Sequence, residues 1–134
     1  MTSIQYLERP AVESEALNAL FRASWPEHSE RDFERVHRHS LTYICAFVAS
    51  ELVGYVNIAT DGGAHTFLLD TTVHPAFRHR GIGTELVRLA TTASRSAKAE
   101  WLHVDFERAF EPFYAAAGFR QSTAGLIRLV DLAV

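Results

Sequence analysis

The chain has 134 residues, a hydrophobic fraction of 48%, a charged fraction of 22% and a formal net charge of −3. This length and composition are typical of one globular domain, and no apolar run approaches the roughly 18 residues that a membrane-spanning helix needs. A slightly acidic chain also lacks the basic footprint of a nucleic-acid-binding protein. We therefore expect a single domain over 1–134 that binds neither a membrane nor nucleic acid.

The sequence also predicts the cellular location of the protein and the state of its cysteine. The N-terminus has no basic segment followed by an apolar stretch, so no secretory signal is visible and we expect a cytoplasmic protein. The single cysteine, Cys45, lies in an apolar run and is interpreted as a buried, unreactive thiol. The basic residues of 31–39 alternate with acids, as on a solvated helix face; a nucleic-acid-binding role for them is the less favoured alternative.

Hydrophobic periodicity and turn residues predict an α/β fold. The predicted elements are, in chain order, a strand at 4–7, a helix of about a dozen residues after Pro10, a short helix around 31–38, strands at 41–49, 52–59 and 65–73, a helix at 81–95, a buried strand at 101–106, a helix at 107–117 and one or two closing strands in 119–134. The strand–helix–strand order over 65–106 requires a parallel pair. We expect a mixed, mostly antiparallel sheet of six or seven strands with about four helices.

The most informative segment joins the strand at 65–73 to the helix at 81–95, and it reads Val73-His74-Pro75-Ala76-Phe77-Arg78-His79-Arg80-Gly81-Ile82-Gly83-Thr84. Its two glycines let a ligand approach the backbone, and the first helical turn leaves about four N–H groups without intrahelical partners. Arg78 and Arg80 add positive charge beside the same helix N-terminus, which itself attracts anions. The segment therefore predicts a phosphate-binding turn; a helix N-terminus without a ligand is the alternative.

Two common phosphate-binding motifs are absent from this turn. A dinucleotide fingerprint needs a third glycine three residues after Gly83, where Leu86 stands. A nucleoside triphosphate loop needs a lysine directly after the glycine, where Thr84 stands. The expected phosphate ligand is therefore of another kind.

Two motifs of the chain resemble those of the GCN5-related N-acetyltransferase superfamily. Arg78-x-x-Gly81-x-Gly83 matches the pyrophosphate loop of that family, and Phe113-Tyr114-x-x-x-Gly118-Phe119 matches its aromatic helix end. The order of elements agrees over essentially the whole chain, although the first forty residues match only in pattern. The resemblance implies transfer of an acyl group from acetyl-coenzyme A, in a fold whose central parallel strands splay apart to receive the thioester.

The resemblance also implies where the coenzyme binds. Backbone groups around Val73 pair with the pantetheine arm like an added strand, and N–H groups of the turn hold the pyrophosphate. The implied coenzyme-binding residues are Thr72, Val73, Arg78, His79, Arg80, Gly81, Ile82, Gly83 and Thr84. We expect no metal, because none of the seven histidines is spaced like the paired ligands of a metal-binding helix.

Acyl transfer to an amine needs a base, an oxyanion donor and an acid. An amine with a pKa near ~10.4 costs about 4–5 kcal/mol to deprotonate at pH 7. Asp70 is the candidate base, a backbone N–H near Val73 the candidate oxyanion donor and Tyr114 the candidate acid. The alternatives are an Asp70 bonded to an arginine or a backbone N–H, and a Tyr114 that only packs. His65 and His103 are candidates for a proton relay or for a structural role.

The acceptor side carries several acidic residues. Glu107 stands where many family members have an asparagine that contacts the coenzyme. With Asp70, Asp105 and Glu111 it predicts an acidic neighbourhood that favours a cationic amine, and solvated surface acids are the alternative. Trp25 is a candidate wall of the acceptor pocket, or else an ordinary core residue.

The expected function is acetylation of a primary amine on a small molecule, such as a metabolite, a polyamine, an amino acid or an amine-bearing antibiotic. The absence of an extra docking module in 134 residues favours small acceptors. Two alternatives remain, a protein N-acetyltransferase and a non-catalytic module that senses acyl-coenzyme A. Relatives of this kind often form homodimers, so a homodimer is a further expectation.

Overall fold

A computed structural model describes residues 3–130, in which five strands form one sheet in chain order. The elements are β1 (Ile4–Glu8), α1 (Ser14–Ser24), α2 (Phe33–His37), β2 (Ser40–Val48), β3 (Glu51–Thr60), β4 (His65–Val73), α3 (Ile82–Ser96), β5 (Trp101–Val104) and α4 (Glu111–Ala116), with 3₁₀ turns at Pro75–Phe77 and Arg108–Phe110. Strands β1 to β4 pair antiparallel, and β4 and β5 pair parallel. Within 3–130, no helix is long and apolar enough to cross a membrane.

Helices cover both faces of the sheet, which gives three layers and two apolar clusters. On one face, the apolar stripe of α3 buries Leu86 and Ala90 against the sheet. On the other face, Leu17 and Phe21 of α1 pack with Tyr55 of β3. Each large apolar side chain that is fully buried stabilises the fold by roughly 1.5–3 kcal/mol relative to exposure. The mixed α/β architecture predicted from periodicity is confirmed.

The hairpin of β2 and β3 forms from the two apolar runs, but its turn lies one residue earlier than strands at 41–49 and 52–59 predict, and its turn residues are not the usual ones. Val48 pairs with Glu51 across the two-residue turn Ala49-Ser50. Ala49 has a φ of 54°, the left-handed region that two-residue hairpins require and that asparagine or glycine adopts more easily. Strand patterning on both sides therefore outweighs the local preference of alanine.

Strand β4 has two irregularities in its second half. Tyr55 pairs with Thr72 and Asn57 pairs with Leu69, so β4 has one extra residue there and forms a β-bulge. The bulge contains Asp70, whose φ of 59° is one that aspartate tolerates better than most residues. Pairing with β5 stops at Leu68, so the last five residues of β4 have no strand beside them on that edge. The two parallel strands thus diverge where the family resemblance implies a splay.

The prediction of six or seven strands is wrong for the described residues, which form five. The closing strands were expected in 119–134; residues 119–130 form no strand, and 131–134 lie outside the described residues. The stretch 121–125 is polar or small, so it buries little apolar surface. Between Leu126 and Val130, large apolar side chains are 66–90% exposed. High β-propensity stabilises a strand only when the strand is paired and packed.

Two predicted elements near the C-terminal end are shorter than expected. The strand predicted at 101–106 ends at Val104, and its first residue, Trp101, is 48% exposed because β5 lies at the edge of the sheet. The helix predicted at 107–117 is divided into a 3₁₀ turn and α4, with Pro112 in the first turn of α4. Proline fits the first turn of a helix but interrupts a longer one. The helix end at Gly118, with a φ of 104°, is confirmed.

Candidate active site

The turn after β4 presents free backbone donors at the N-terminus of α3. Gly81 caps the helix with a φ of 79°, and the first helical bond runs from the Glu85 N–H to the Gly81 carbonyl at 3.0 Å. The three N–H groups before Glu85, those of Ile82, Gly83 and Thr84, therefore have no intrahelical acceptor. Ile82 is buried in the core and anchors this end of the helix, while Thr84 is exposed. A group of donors is thus held rigidly at the surface.

Gly83 lets the N-terminus of α3 pack closely against the ends of β4 and α4. A Cβ atom at this position would lie 3.3 Å from Cζ of Phe113 and 3.7 Å from Cγ2 of Val73. Phe113 belongs to α4 and Val73 ends β4, so the glycine lies where three elements meet. The three elements can therefore pack this closely only because this residue has no side chain.

Positive charge surrounds the same turn. Arg78, His79 and Arg80 are all exposed, and His79 has a φ of 64°, which helps to reverse the chain direction before α3. The Arg80 guanidinium lies over the ring of Phe77, 5.0 Å from its centroid. Neither arginine forms an ion pair with any residue in 3–130. Their charges are available to an anion at the helix N-terminus.

The end of β4 offers a free backbone edge beside this turn. Val73 pairs with Gly54 of β3, and the His74 N–H donates to the Val53 carbonyl at 2.8 Å. The opposite edge, beyond Leu68, has no neighbouring strand among the described residues. An extended ligand can therefore add to β4 there, as a further strand would.

Tyr114 lies beside Thr71 of β4, one residue after the Phe113 that faces Gly83. Its ring stacks on Phe106 at a centroid distance of 4.7 Å and meets Phe113 and Phe119 edge-on. Burial raises the pKa of the Tyr114 hydroxyl, and the neighbouring Thr71 hydroxyl opposes part of that rise. The two hydroxyls fall short of full hydrogen-bond geometry, because Thr71 Oγ1 is buried without a partner in the described chain. Tyr114 thus both packs and presents a protonated hydroxyl at β4.

Asp70 faces the other side of β4 and forms an ion pair. Nη1 of Arg31 donates to Oδ2 of Asp70 at 3.0 Å, with both side chains about one-third exposed. The Arg31 guanidinium also lies over the rings of Phe21 and Phe33, 5.3 and 5.5 Å from their centroids. Asp70 is therefore bonded to an arginine, as one of the alternatives to a free base requires. The pair lies open to solvent at the wall of a cavity.

This cavity lies between β4 and the segment that joins α1 to α2, and its volume is about 450 Å³. That volume is in the range of small-molecule sites. Its wall includes Trp25, whose Nε1 donates to Thr72 Oγ1 at 3.0 Å. The Thr72 hydroxyl in turn donates to the Asp70 carbonyl at 2.9 Å. The lining residues are Phe21, Trp25, Glu27, His28, Ser29, Glu30, Arg31 and Asp70.

Asn18 holds the cavity wall in place, and the sequence analysis missed it together with Arg31. The Asn18 side chain donates to the Arg31 carbonyl at 2.8 Å and accepts from the Arg31 N–H at 2.9 Å. Its Oδ1 is also 2.8 Å from Nε2 of His28. One signal was present in the sequence: an amide on the apolar stripe of α1, four residues after Ser14 and next to Leu17, is a polar group that must find partners.

Other predicted acceptor residues do not line this cavity. Asp105 and Glu107 are exposed beyond the end of β5, and Glu111 begins α4, so the predicted acidic neighbourhood is not gathered around Asp70. His65 and His103 contact each other, with 2.7 Å between their ring nitrogens. His65 begins β4, at the end away from the splay, whereas His103 pairs with Phe67, one position before the last β4–β5 pair. A proton relay through His103 remains a prediction.

Metal binding was also considered. Within 3–130, no three His, Cys, Asp or Glu side chains gather as a metal site would require. The expectation that no metal is used remains a prediction.

Comparison with known proteins identifies the class. The model of the acetyltransferase (GNAT) family matches residues 12–119, which include the phosphate-binding turn and the helix that carries Tyr114. The chain belongs to the GNAT acetyltransferase family. The family resemblance drawn from the two sequence motifs is thereby confirmed.

Individual relatives match only part of the chain. A mycothiol acetyltransferase of Nocardia farcinica is 44% identical over 55 residues, which cover 41% of this chain and 18% of that protein. A mycothiol acetyltransferase of Mycobacterium avium is 36% identical over 61 residues, covering 46% and 19%. The matched part spans only about a fifth of the length of these curated relatives.

Solved structures match over nearly the full length. A GNAT family acetyltransferase of Streptococcus pneumoniae superimposes with a TM-score of 0.82 at 23% identity, covering 96% of this chain and 98% of that one. An aminoglycoside N-acetyltransferase in complex with coenzyme A gives a TM-score of 0.77 at 15% identity, covering 98% and 97%. At these identities the likeness concerns the fold.

Proposed function

We propose that the chain is an acetyl-coenzyme A-dependent N-acetyltransferase that acetylates a primary amine of a small molecule. One observation carries the proposal. A single strand, β4, leads into the anion-attracting turn at its end, and its bulge faces the cavity with Asp70, while Tyr114 lies at its open edge. A donor and an acceptor can therefore approach the same few residues from opposite sides.

The residues of the turn fit a pyrophosphate and its pantetheine arm. Donors of Ile82, Gly83 and Thr84 are free of helical bonds, and Arg78 and Arg80 supply cationic charge nearby. A Cβ on Gly83 would press against Phe113 and so displace the N-terminal turn that carries these donors. The open edge of β4 at Thr72 and Val73 can pair with an extended chain. The Thr71 hydroxyl, buried without a partner in residues 3–130, can form a hydrogen bond with a polar group of that chain.

Bound acetyl-coenzyme A supplies the acetyl group as an activated thioester. Asp70 takes a proton from the acceptor ammonium, which frees the nitrogen lone pair to form the new N–C bond. The C–S bond breaks, Tyr114 donates its proton to the released sulfur, and the second proton lost by the nitrogen restores the Tyr114 hydroxyl. This hydroxyl is protonated at neutral pH, as a tyrosine of ordinary pKa already is, and burial raises its pKa further. Overall, one ammonium becomes an amide, one thiol forms and one proton is released.

A small acceptor suits the cavity between β4 and α1. Its volume of about 450 Å³ accommodates a metabolite, and Trp25 gives it a flat aromatic wall that is bonded to β4. One of the similar solved structures is named an aminoglycoside N-acetyltransferase. Aminoglycosides are small molecules, and this analogy supports the choice of a small acceptor. Acceptor identity within this class is taken up below.

The proposal is tested in two stages. Calorimetric titration of the pure protein with acetyl-coenzyme A should give saturable binding, and its absence would refute the proposal. A screen of amines is then scored by thiol release, with the products weighed by mass spectrometry. An N-acetylated small molecule is the expected product. Binding without thiol release for any amine would favour an acyl-coenzyme A sensor, and activity only on protein N-termini would favour a protein acetyltransferase.

A homodimer is also proposed, and one surface supports it. Leu126, Ile127, Leu129 and Val130 are strongly exposed, and β5 leaves an unpaired edge among the described strands. Contiguous exposed apolar residues mark association surfaces in many proteins. Light scattering after size-exclusion chromatography should report twice the chain mass of 15.0 kDa, and a monomer at all concentrations would contradict the proposal.

A further inference from the structure

We infer that the acceptor is a free amino acid, recognised as a zwitterion by the ion pair of Arg31 and Asp70. The inference rests on the proposed function, because it names the acceptor of that same site. Two opposite charges, 3.0 Å apart and each about one-third exposed, line one wall of the cavity. An α-amino acid presents a carboxylate and an ammonium at comparably short separation, so each charge of the ligand meets its opposite.

Arg31 is held rigidly enough to act as a recognition group. Its guanidinium rests against the rings of Phe21 and Phe33, and its backbone is bonded on both sides to Asn18. Only Nη1 is bonded to a side chain within the described residues. Arginine carries five donors in a planar fork, so several donors remain for a carboxylate, which the fork can bind through two parallel bonds.

The other charges of the cavity do not compete for this role. Glu30 shares Arg22 with Glu15 and lies 3.5 Å from Nε2 of His28, so part of its charge is offset. Glu27 is exposed at the rim. Arg31 and Asp70 therefore define the field at the inner wall, where the reaction is proposed to occur.

The same pair discriminates against other amines. A polyamine brings a second ammonium, which the Arg31 guanidinium repels, and a protein N-terminus has no free α-carboxylate to bind. A zwitterion satisfies both groups at once. The carboxylate of the amino acid also offsets the positive charge of Arg31. Without that offset, the charge of Arg31 disfavours protonation of Asp70.

The test compares each proteinogenic amino acid with its own carboxamide in the thiol-release assay. The carboxamide keeps the amine and the side chain but loses the carboxylate. For the preferred side chain, kcat/KM should be about tenfold to 100-fold higher for the free acid, as expected for hydrogen bonds to a charged group. Equal rates, or faster turnover of the carboxamides, would overturn the inference.

Matched variants assign this preference to Arg31. In Arg31→Gln the ratio of free acid to carboxamide should fall to about threefold or less, whereas Arg31→Lys should keep part of it. Arg35→Gln is the control, because Arg35 is an exposed arginine on α2 that does not line the cavity. An unchanged ratio in Arg31→Gln would remove Arg31 from recognition. Thermal melting of each variant confirms that it folds.

Failure of this inference can be told apart from failure of the proposed function. Acetyl-coenzyme A binding is measured on the same wild-type protein by calorimetry. If the coenzyme binds and amines without a carboxylate release thiol as fast as amino acids, only the zwitterion inference fails. If neither coenzyme binding nor thiol release occurs, the proposed function fails first.

Discussion

The coenzyme turn and the acceptor cavity, on two sides of β4, are built in different ways. The turn is local: Arg78 to Thr84 are consecutive in sequence, and most of their polar groups that face a ligand belong to the backbone. The cavity is assembled from distant side chains, since Arg31 meets Asp70 across 39 positions and Trp25 meets Thr72 across 47. A site formed by consecutive backbone groups depends on few particular side chains. A site formed by long-range side-chain contacts is altered when any one of those side chains is replaced.

This difference separates the roles of the two regions. Free N–H groups at a helix N-terminus bind the same phosphate whatever the acceptor is, because they recognise charge and close approach. Arginine–carboxylate and indole–hydroxyl contacts are directional and specify one ligand shape. Variants on the turn should therefore alter coenzyme affinity, and variants in the cavity should alter the acceptor KM. Tyr114 lies beside Thr71 of β4 and does not line the acceptor cavity.

Tyr114→Phe should have the largest effect. The change removes only the hydroxyl beside Thr71, so the aromatic packing on Phe106 stays intact. We expect kcat to fall on the order of 100-fold, as for loss of a general acid, while the Kd for acetyl-coenzyme A stays within about twofold. Steady-state kinetics and calorimetry measure the two quantities. A kcat equal to that of the wild type would leave Tyr114 with a packing role.

Tyr43→Phe provides the matched control for Tyr114. Tyr43 also has a hydrogen-bonded hydroxyl, which donates to the Pro10 carbonyl at 2.8 Å, but it does not line the cavity or the β4 edge. Its loss should lower stability by about 1 kcal/mol and leave kcat unchanged. The pH profile gives a second check: because burial raises the pKa of Tyr114, the loss of activity caused by its ionisation should occur at a higher pH than for an exposed tyrosine.

Gly83→Ala should weaken coenzyme binding by about tenfold, which corresponds to roughly 1.4 kcal/mol. The new Cβ would lie 3.3 Å from Phe113, so either Phe113 or the N-terminus of α3, with its N–H donors, must shift. Alanine raises helix propensity, so the melting temperature should not fall by much even though affinity does. Calorimetry with coenzyme A measures the affinity, and thermal melting measures the stability.

Gly125→Ala is the control for this substitution. A Cβ at Gly125 meets nothing within 4 Å, and the residue has no positive φ, so coenzyme affinity should remain at the wild-type value. If Gly83→Ala behaves in the same way as Gly125→Ala, the close approach at the turn has no functional meaning.

The same division explains how much the sequence could predict. The turn and the aromatic helix end are local motifs, so Gly81, Gly83 and Tyr114 could be recognised from spacing. Arg31 looked like part of a charged helix face, because nothing local shows that its guanidinium reaches Asp70. The closing strands were expected from apolar residues alone, but a strand also needs a partner edge, which periodicity does not reveal. Long-range contacts thus determine the position of Arg31 and the fate of the closing strands, whereas the division of the helix predicted at 107–117 has a local cause in Pro112.

Trp25→Phe should have the smallest effect and the one most confined to the acceptor side. The change keeps an aromatic wall but removes the bond from Nε1 to Thr72 Oγ1, which leaves a buried hydroxyl with one partner fewer. We expect a stability loss of about 1 kcal/mol and an acceptor KM raised by about twofold to fivefold, with coenzyme affinity unchanged. Trp101→Phe is the matched control, because Trp101 is similarly exposed, at 48% against 39%, but begins β5 away from the cavity. A change in coenzyme affinity in Trp25→Phe would contradict the division between the two regions, since it would mean that Thr72 transmits changes in the cavity to the coenzyme edge of β4.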